Sequence, residues 1–330
     1  MSTSLKLPWK LHILFYLNYF IKKLCVRSNG TLNRRLHNLF DLKNPPTKTP
    51  KNGVSTSDTV INSSRNLWFR LYTPQGGDNE ETSNFPIIIY FHGGGFTFFK
   101  ADSFAYDNWC KRLAVELQAV IISVNYRLAP EHKFPSQYED GFEALKFLGE
   151  NFDKLSINAD PGLCFIAGDS AGGNLAHHVA VKAAKYEFQK VKLIGYLAIQ
   201  PFFGGEERTE AEKCNSRAPV LTLESTDWFW KAFLPDGSDR DHPAANVFGP
   251  KSSVYMSQVE FPETLVFIGG FDLLKDWQRR YYEGLKKAGK EVHLVEIPGA
   301  FHGSYAFKEL KESSLFVKEI KIFMKRILTD

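Results

Sequence analysis

Unbroken apolar runs, rather than alternating ones, dominate the middle of this chain. Strands are predicted at Leu67–Tyr72, Ile87–Phe91, Val120–Asn125, Leu163–Ala167, Leu193–Ile199, Leu265–Ile268 and Val292–Ile297. Several of these are continuous Val/Ile/Leu/Phe segments, the pattern of strands covered on both faces in a parallel sheet. Between them, helical periodicity appears at Phe104–Leu117, Tyr138–Asn151, Ala171–Lys185, Trp277–Ala288 and Leu310–Ile327. The alternation predicts a doubly wound α/β fold, a mostly parallel central sheet with helices on both faces and right-handed crossovers.

Two stretches break this rhythm. Residues 44–64 are rich in Pro, Thr, Asn and Ser and read as a connection. Residues 202–249 show no strand pattern but carry Trp228, Phe229, Trp230 and Phe233. So long a segment exceeds a plain loop, which predicts an excursion with its own helix. Its aromatics read first as packing, with ligand contact as the rival. No internal repeat is visible, and residues 1–330 read as one domain.

The leader needs a decision about membranes. Leu11 to Ile21 is apolar except for His12 and Asn18, and Lys22 and Lys23 end the run. Eleven helical residues rise about 16 Å, roughly half a hydrocarbon core. The small-residue cleavage site of a signal peptide is missing. Residues 7–24 are therefore expected as a helix, with Phe15, Tyr16, Tyr19 and Phe20, docked on the body as part of a lid segment spanning 1–45. Membrane anchoring by 7–24 is the competing reading.

Composition narrows the class. Of 330 residues, 43% are hydrophobic and 24% charged, which excludes a disordered, collagen-like or polytopic membrane chain. The net charge of +4 is uneven: residues 1–60 carry ten Lys/Arg against Asp41 and Asp58, leaving the rest at −4. Ten scattered charges solvate a surface and do not call for a nucleic-acid partner. Cys25, Cys110, Cys164 and Cys214 are far apart, as reduced thiols would be, which favours a cytoplasmic location, with the nucleus admitted. Sequons at Asn29 and Asn62 stand alone as hints of secretion.

The strongest chemical signal is Gly168-Asp169-Ser170-Ala171-Gly172-Gly173, between a predicted strand and a predicted helix. That context is what a nucleophile elbow requires. The serine must project from a sharp turn, and side chains two before or two after it would collide with backbone, so glycine stands at both places. The second signal is His92-Gly93-Gly94-Gly95-Phe96, directly after a strand. Backbone N–H groups of Gly93, Gly94 and Gly95, with that of Ala171, are candidate donors to a tetrahedral oxyanion, Gly94 first.

A nucleophilic serine needs a base, and the base an orienting acid. Asp272 follows the strand at 265–268, and His302 follows the strand at 292–297, in the order Ser, Asp, His. Asp276, expected to begin the next helix, and His293, inside a strand, are poorer candidates. The aromatics nearest the two loops, Phe96, Phe271, Phe301 and Tyr305, are the expected pocket lining.

These motifs, with Tyr126-Arg127-Leu128-Ala129-Pro130-Glu131 and Arg27-Ser28-Asn29-Gly30-Thr31-Leu32-Asn33-Arg34, resemble the plant carboxylesterases of the hormone-sensitive lipase type, in the α/β-hydrolase superfamily. The resemblance covers nearly the whole chain. It implies an α/β-hydrolase fold with a cap formed partly by the N-terminal segment, and a triad of Ser170, Asp272 and His302. The triad itself is expected to hydrolyse a carboxylic ester through an acyl-enzyme with no need of a metal or organic cofactor, and a capped pocket suits small acyl groups and modest alcohols. The Tyr126–Glu131 segment reads as a buttress for the glycine loop. Two alternatives share the scaffold. Gibberellin receptors resemble the chain but lack the catalytic histidine, and hydroxyisoflavanone dehydratases keep the same triad.

Overall fold

The computed structural model describes residues 5, 7–75, 84–214 and 218–329. Residues 1–4 and 6 of the expected lid, and 215–217 of the excursion, lie outside the described residues. The described chain opens with α1 (Trp9–Cys25) and α2 (Arg34–Phe40), then β1 (Val54–Asn62), β2 (Leu67–Pro74) and β3 (Phe85–Phe91). Next come α3 (Phe104–Leu117), β4 (Val120–Asn125), α4 (Ser136–Asn151), β5 (Ala159–Asp169), α5 (Ala171–Ala183) and β6 (Leu193–Ile199). The excursion holds α6 (Glu210–Cys214) and α7 (Leu223–Phe233). The chain closes with β7 (Glu263–Gly269), α8 (Lys275–Lys287), β8 (Val292–Ile297) and α9 (Lys311–Thr329).

The eight strands form one sheet in the order β1-β2-β4-β3-β5-β6-β7-β8. From β4 through β8 every neighbouring pair is parallel, and β1 and β2 add antiparallel pairs at one edge. The apolar runs behave as two-faced strands. In β3, Ile87, Ile89 and Phe91 face the cluster that includes α4, α5 and α8, while Ile88 and Tyr90 face α3 and α9. This is the α/β-hydrolase arrangement, with β5, β7 and β8 delivering their carboxyl ends to one rim.

The stretch expected as a loop at 44–64 contains β1, which is a correction. Its Ser, Thr, Asp and Asn suit an edge strand, where one backbone edge and part of each face meet solvent. Asp58 pairs across to Arg70 of β2, with Nε to Oδ1 at 2.6 Å and Nη2 to Oδ2 at 2.8 Å.

The leader is a helix, but its docking is narrower than expected. Of the four aromatics expected on the docked helix, Phe15 packs on the body, while Tyr16 is 72% exposed, Phe20 51% and Tyr19 44%. Trp9, at the start of the helix, is also exposed. Among the described residues, no helix is long and apolar enough to cross a membrane.

Candidate active site

Ser170 is the single residue between β5 and α5. Its φ of 50° and ψ of −121° fall where a non-glycine residue is strained. Bare flanks make the turn feasible. A side chain at Gly168 would lie 2.2 Å from the Gly172 carbonyl oxygen, and one at Gly172 would lie 1.9 Å from that of Phe91. The strained backbone is pinned from both sides: Ser170 N–H donates to Ile199 O at 3.0 Å, and Phe202 N–H to Ser170 O at 2.8 Å.

The loops after β7 and β8 converge on this turn. His302 Nε2 lies 2.9 Å from Ser170 Oγ, and Nδ1 lies 2.8 Å from Asp272 Oδ2. All three side chains are buried. Asp272 also accepts from Leu274 N–H through Oδ1 and from Gln278 Nε2 through Oδ2, each at 2.9 Å. The weaker candidates are elsewhere. Asp276 accepts the Ala211 N–H at 2.8 Å, and His293 pairs with Glu263 at 2.6 Å.

The glycine loop abuts the serine turn, where a side chain at Gly172 would lie 2.7 Å from the His92 carbonyl oxygen. Gly93 requires a correction, because its N–H is already donated, to Tyr106 Oη at 2.9 Å and Asp169 Oδ1 at 3.0 Å. The N–H groups of Gly94 and Gly95 have no acceptor among the described residues. The N–H of Ala171, at the first position of α5, has none within its helix. Three unspent donors thus remain of the four expected. His92 is buried and stacks on Tyr126 at 4.3 Å, and Tyr126 Oη donates to His92 O at 2.6 Å. Burial drives the His92 imidazole down to about 4, so it stays neutral and structural.

Two residues of this site carry no sequence signal of their own. Asp169 accepts from Tyr90 Oη at 2.7 Å, from Tyr106 Oη at 2.9 Å and from Tyr305 Oη, besides the Gly93 N–H. Burial raises its carboxyl above the usual value, and the phenol hydrogen bonds oppose that rise. Gln200, buried at the carboxyl end of β6, donates to Phe301 O at 3.0 Å and accepts from Gly303 N–H at 2.9 Å. Their positions, one inside the serine motif and one just past a strand, are the available hints.

Comparison with known proteins agrees with this geometry. Residues 88–306 match the alpha/beta hydrolase fold family. The chain belongs to that family. Within it, this α/β-hydrolase is 39% identical to the gibberellin receptor GID1C of Arabidopsis thaliana, covering 90% of this chain and 88% of the receptor. It is 40% identical to probable carboxylesterase 6 of the same plant, over 76% of this chain and 74% of that one. A solved esterase of Pyrobaculum calidifontis superposes with a TM-score of 0.72 at 30% identity, covering 85% of this chain and 87% of its own. The chain is thus a relative of both the plant carboxylesterases and the gibberellin receptors.

The expected pocket aromatics of this α/β-hydrolase divide. Phe96 is packed away, stacked on Phe233 of α7 at 3.8 Å, and Tyr305 spends its hydroxyl on Asp169. Phe271 is half-buried. Phe301 meets Phe15 of α1 edge-on at 5.4 Å. The leader is tied to the site's rim by Arg34 of α2, which donates to Thr97 O, to Ala129 O at 2.7 Å and to Glu131 Oε2 at 2.7 Å. Trp228 of α7 donates to Gly30 O at 3.1 Å, so excursion and leader meet.

Proposed function

We propose that this hydrolase is a serine carboxylesterase acting on esters of small apolar molecules, with residues 1–45 and 202–249 forming its cap. The observation that carries the reading is the alignment of Ser170, His302 and Asp272 at 2.9 and 2.8 Å. Ser170 Oγ attacks the ester carbonyl carbon while His302 Nε2 takes the hydroxyl proton. The C–O bond to the alcohol breaks, and His302 returns that proton to the leaving oxygen. A water then attacks the acyl-serine, gives its proton to His302, and the acid leaves as Ser170 regains its hydrogen. Asp272 fixes the tautomer with Nδ1–H and stabilises the transient imidazolium. Gly94, Gly95 and Ala171 supply N–H groups to the oxyanion, and the α5 N-terminus adds a partial positive charge.

A receptor reading is favoured by the 39% identity to a gibberellin receptor. An unbroken triad argues against it, since a receptor needs no base. The test is turnover of p-nitrophenyl acetate and butyrate. Ser170→Ala is expected to lower kcat by roughly 10⁶ while leaving the fold unchanged. Organophosphate labelling should mark Ser170 in the natural protein and vanish in the variant. A variant retaining more than a tenth of the activity, or a natural protein with none, would refute the assignment.

A further inference from the structure

The inner face of α1 carries Leu11, Phe15, Asn18, Lys22 and Cys25, spaced by four, three, four and three residues. Such spacing keeps one line of side chains against the body. Phe15 and Lys22 are two turns apart, about 10 Å along the axis. At one end, Phe15 abuts Phe301, the neighbour of His302. At the other, the Lys22 ammonium lies 5.7 Å from the ring centre of Phe98 and 6.0 Å from that of Phe229. Phe229 is the ring a side chain on Gly95 would strike. Lys22 therefore stands one aromatic ring away from the glycine loop.

Beneath it is a cavity of about 170 Å³, walled by Lys22, His37, Asp41, Phe98 and Phe99 among others. Two polar groups in this wall have no partner. No carboxylate pairs with Lys22 among the described residues, and burial lowers its ammonium to about 8, leaving it mostly charged at neutral pH. His37 is 8% exposed, and its buried Nδ1 makes no hydrogen bond. Asp41, in the same wall, hydrogen-bonds neither group: its Oδ2 is taken by Lys43 and Ser103, and it reaches His37 through its charge alone. An ammonium over two rings, without a salt-bridge partner, in one wall with an orphaned imidazole nitrogen suits an anion with an apolar stem. A purely alkyl occupant would leave the buried Nδ1 of His37 unmet and give the Lys22 ammonium no counter-charge.

Resting on the esterase reading above, we infer that this cavity is a subsite for a carboxylate on the substrate, bound by Lys22 Nζ with His37 Nδ1–H as second donor. The preferred esters then carry a free acid group several bonds from the scissile carbonyl, the apolar chain between them running under α1. Charge-assisted bonds of this kind are roughly twice as strong as neutral ones.

The test uses matched series: p-nitrophenyl pentanoate, hexanoate and octanoate against the mono-p-nitrophenyl esters of glutaric, adipic and suberic acid. At one length or more, kcat/KM should favour the acid-bearing ester at least tenfold. Lys22→Met should lower that ratio at least tenfold, and Lys22→Glu should bring it below one. A natural protein preferring the neutral ester at every length, or a ratio unmoved by Lys22→Met, overturns the subsite. If neither series is hydrolysed, the esterase reading fails instead, and equilibrium dialysis of suberate decides the subsite alone. Binding that Lys22→Met weakens tenfold or more sustains it; no binding ends it. Circular dichroism of each variant checks folding.

Discussion

Gln200 clasps the loop that carries His302 without touching the imidazole. Its Nε2 donates to the carbonyl of the residue before, Phe301, and its Oε1 accepts from the N–H of the residue after, Gly303. One amide thereby fixes the backbone on both sides of the proposed base, from a strand end that is itself buried. Removing it leaves the triad present but loosened. Gln200→Ala should lower kcat by about 10–100-fold, the range associated with a misplacement near 1 Å, while KM changes less than threefold. Gln200→Glu should behave similarly, because it keeps the acceptor and loses the donor. Steady-state kinetics on p-nitrophenyl butyrate decide it, and a pure KM effect would refute the positioning role.

The two carboxylates after β7 separate cleanly. Asp272 is fully buried against His302, whereas Asp276 spends Oδ2 on the Ala211 N–H in the excursion. Asp272→Asn should lower kcat by something like 10⁴ through the wrong tautomer. Asp276→Asn should cost ~1 kcal/mol of stability and little activity. Measuring kcat and thermal melting for both variants checks the pair, and the reverse ranking would reassign the acid.

What could be read from residue order has a common physical cause. The unbroken strands β3 to β7 are buried on both faces, so their apolar runs needed no context to be recognised. The serine turn announces itself because backbone at Gly168 and Gly172 forbids a Cβ. β1 escaped because an edge strand with Ser, Thr and Asp resembles a loop. Gln200 and Asp169 escaped because their partners lie 101 and 79 positions away, at Phe301 and Tyr90. Glycine spacing alone also does not show that the Gly93 N–H is occupied, because the phenol and carboxylate that take it come from α3 and β5. Apolar composition also overstated the docking of α1, since composition counts apolar residues without saying which side they face.

Asp169 links the serine turn to the glycine loop through a single carboxylate. It accepts the Gly93 N–H and three phenols, so the loop's position depends on four donors to one side chain. In Asp169→Asn the amide NH₂ faces donors, and at least one of those bonds is lost. The variant should lose about 10–100-fold in kcat, as expected when a backbone oxyanion donor drifts. Affinity for a phosphonate that mimics the tetrahedral state should fall by a similar factor, with KM for butyrate within threefold. Equal losses in KM and phosphonate affinity would instead indicate general damage to the pocket.

The last prediction concerns α1 as a lid. Its hold on the body is narrow: Phe15 on Phe301 and Phe307, Leu11 and Cys25 buried, and Lys22 over Phe98 and Phe229. Each buried apolar side chain there contributes ~1.5–3 kcal/mol, enough to seat a short helix but not to lock it. Its outer face leaves Trp9, Tyr16 and Phe20 in solvent. Removing residues 1–24 should therefore spare the triad geometry, which is built from β5, β7 and β8. It should raise KM for neutral small esters severalfold and relax discrimination against bulky acyl groups, with kcat changed less. If α1 is a membrane anchor instead, deletion would leave KM unchanged and move the protein from the pellet to the soluble fraction. Measuring KM and sedimentation on the same two proteins separates the cases, and a full-length protein that pellets with membranes defeats the lid.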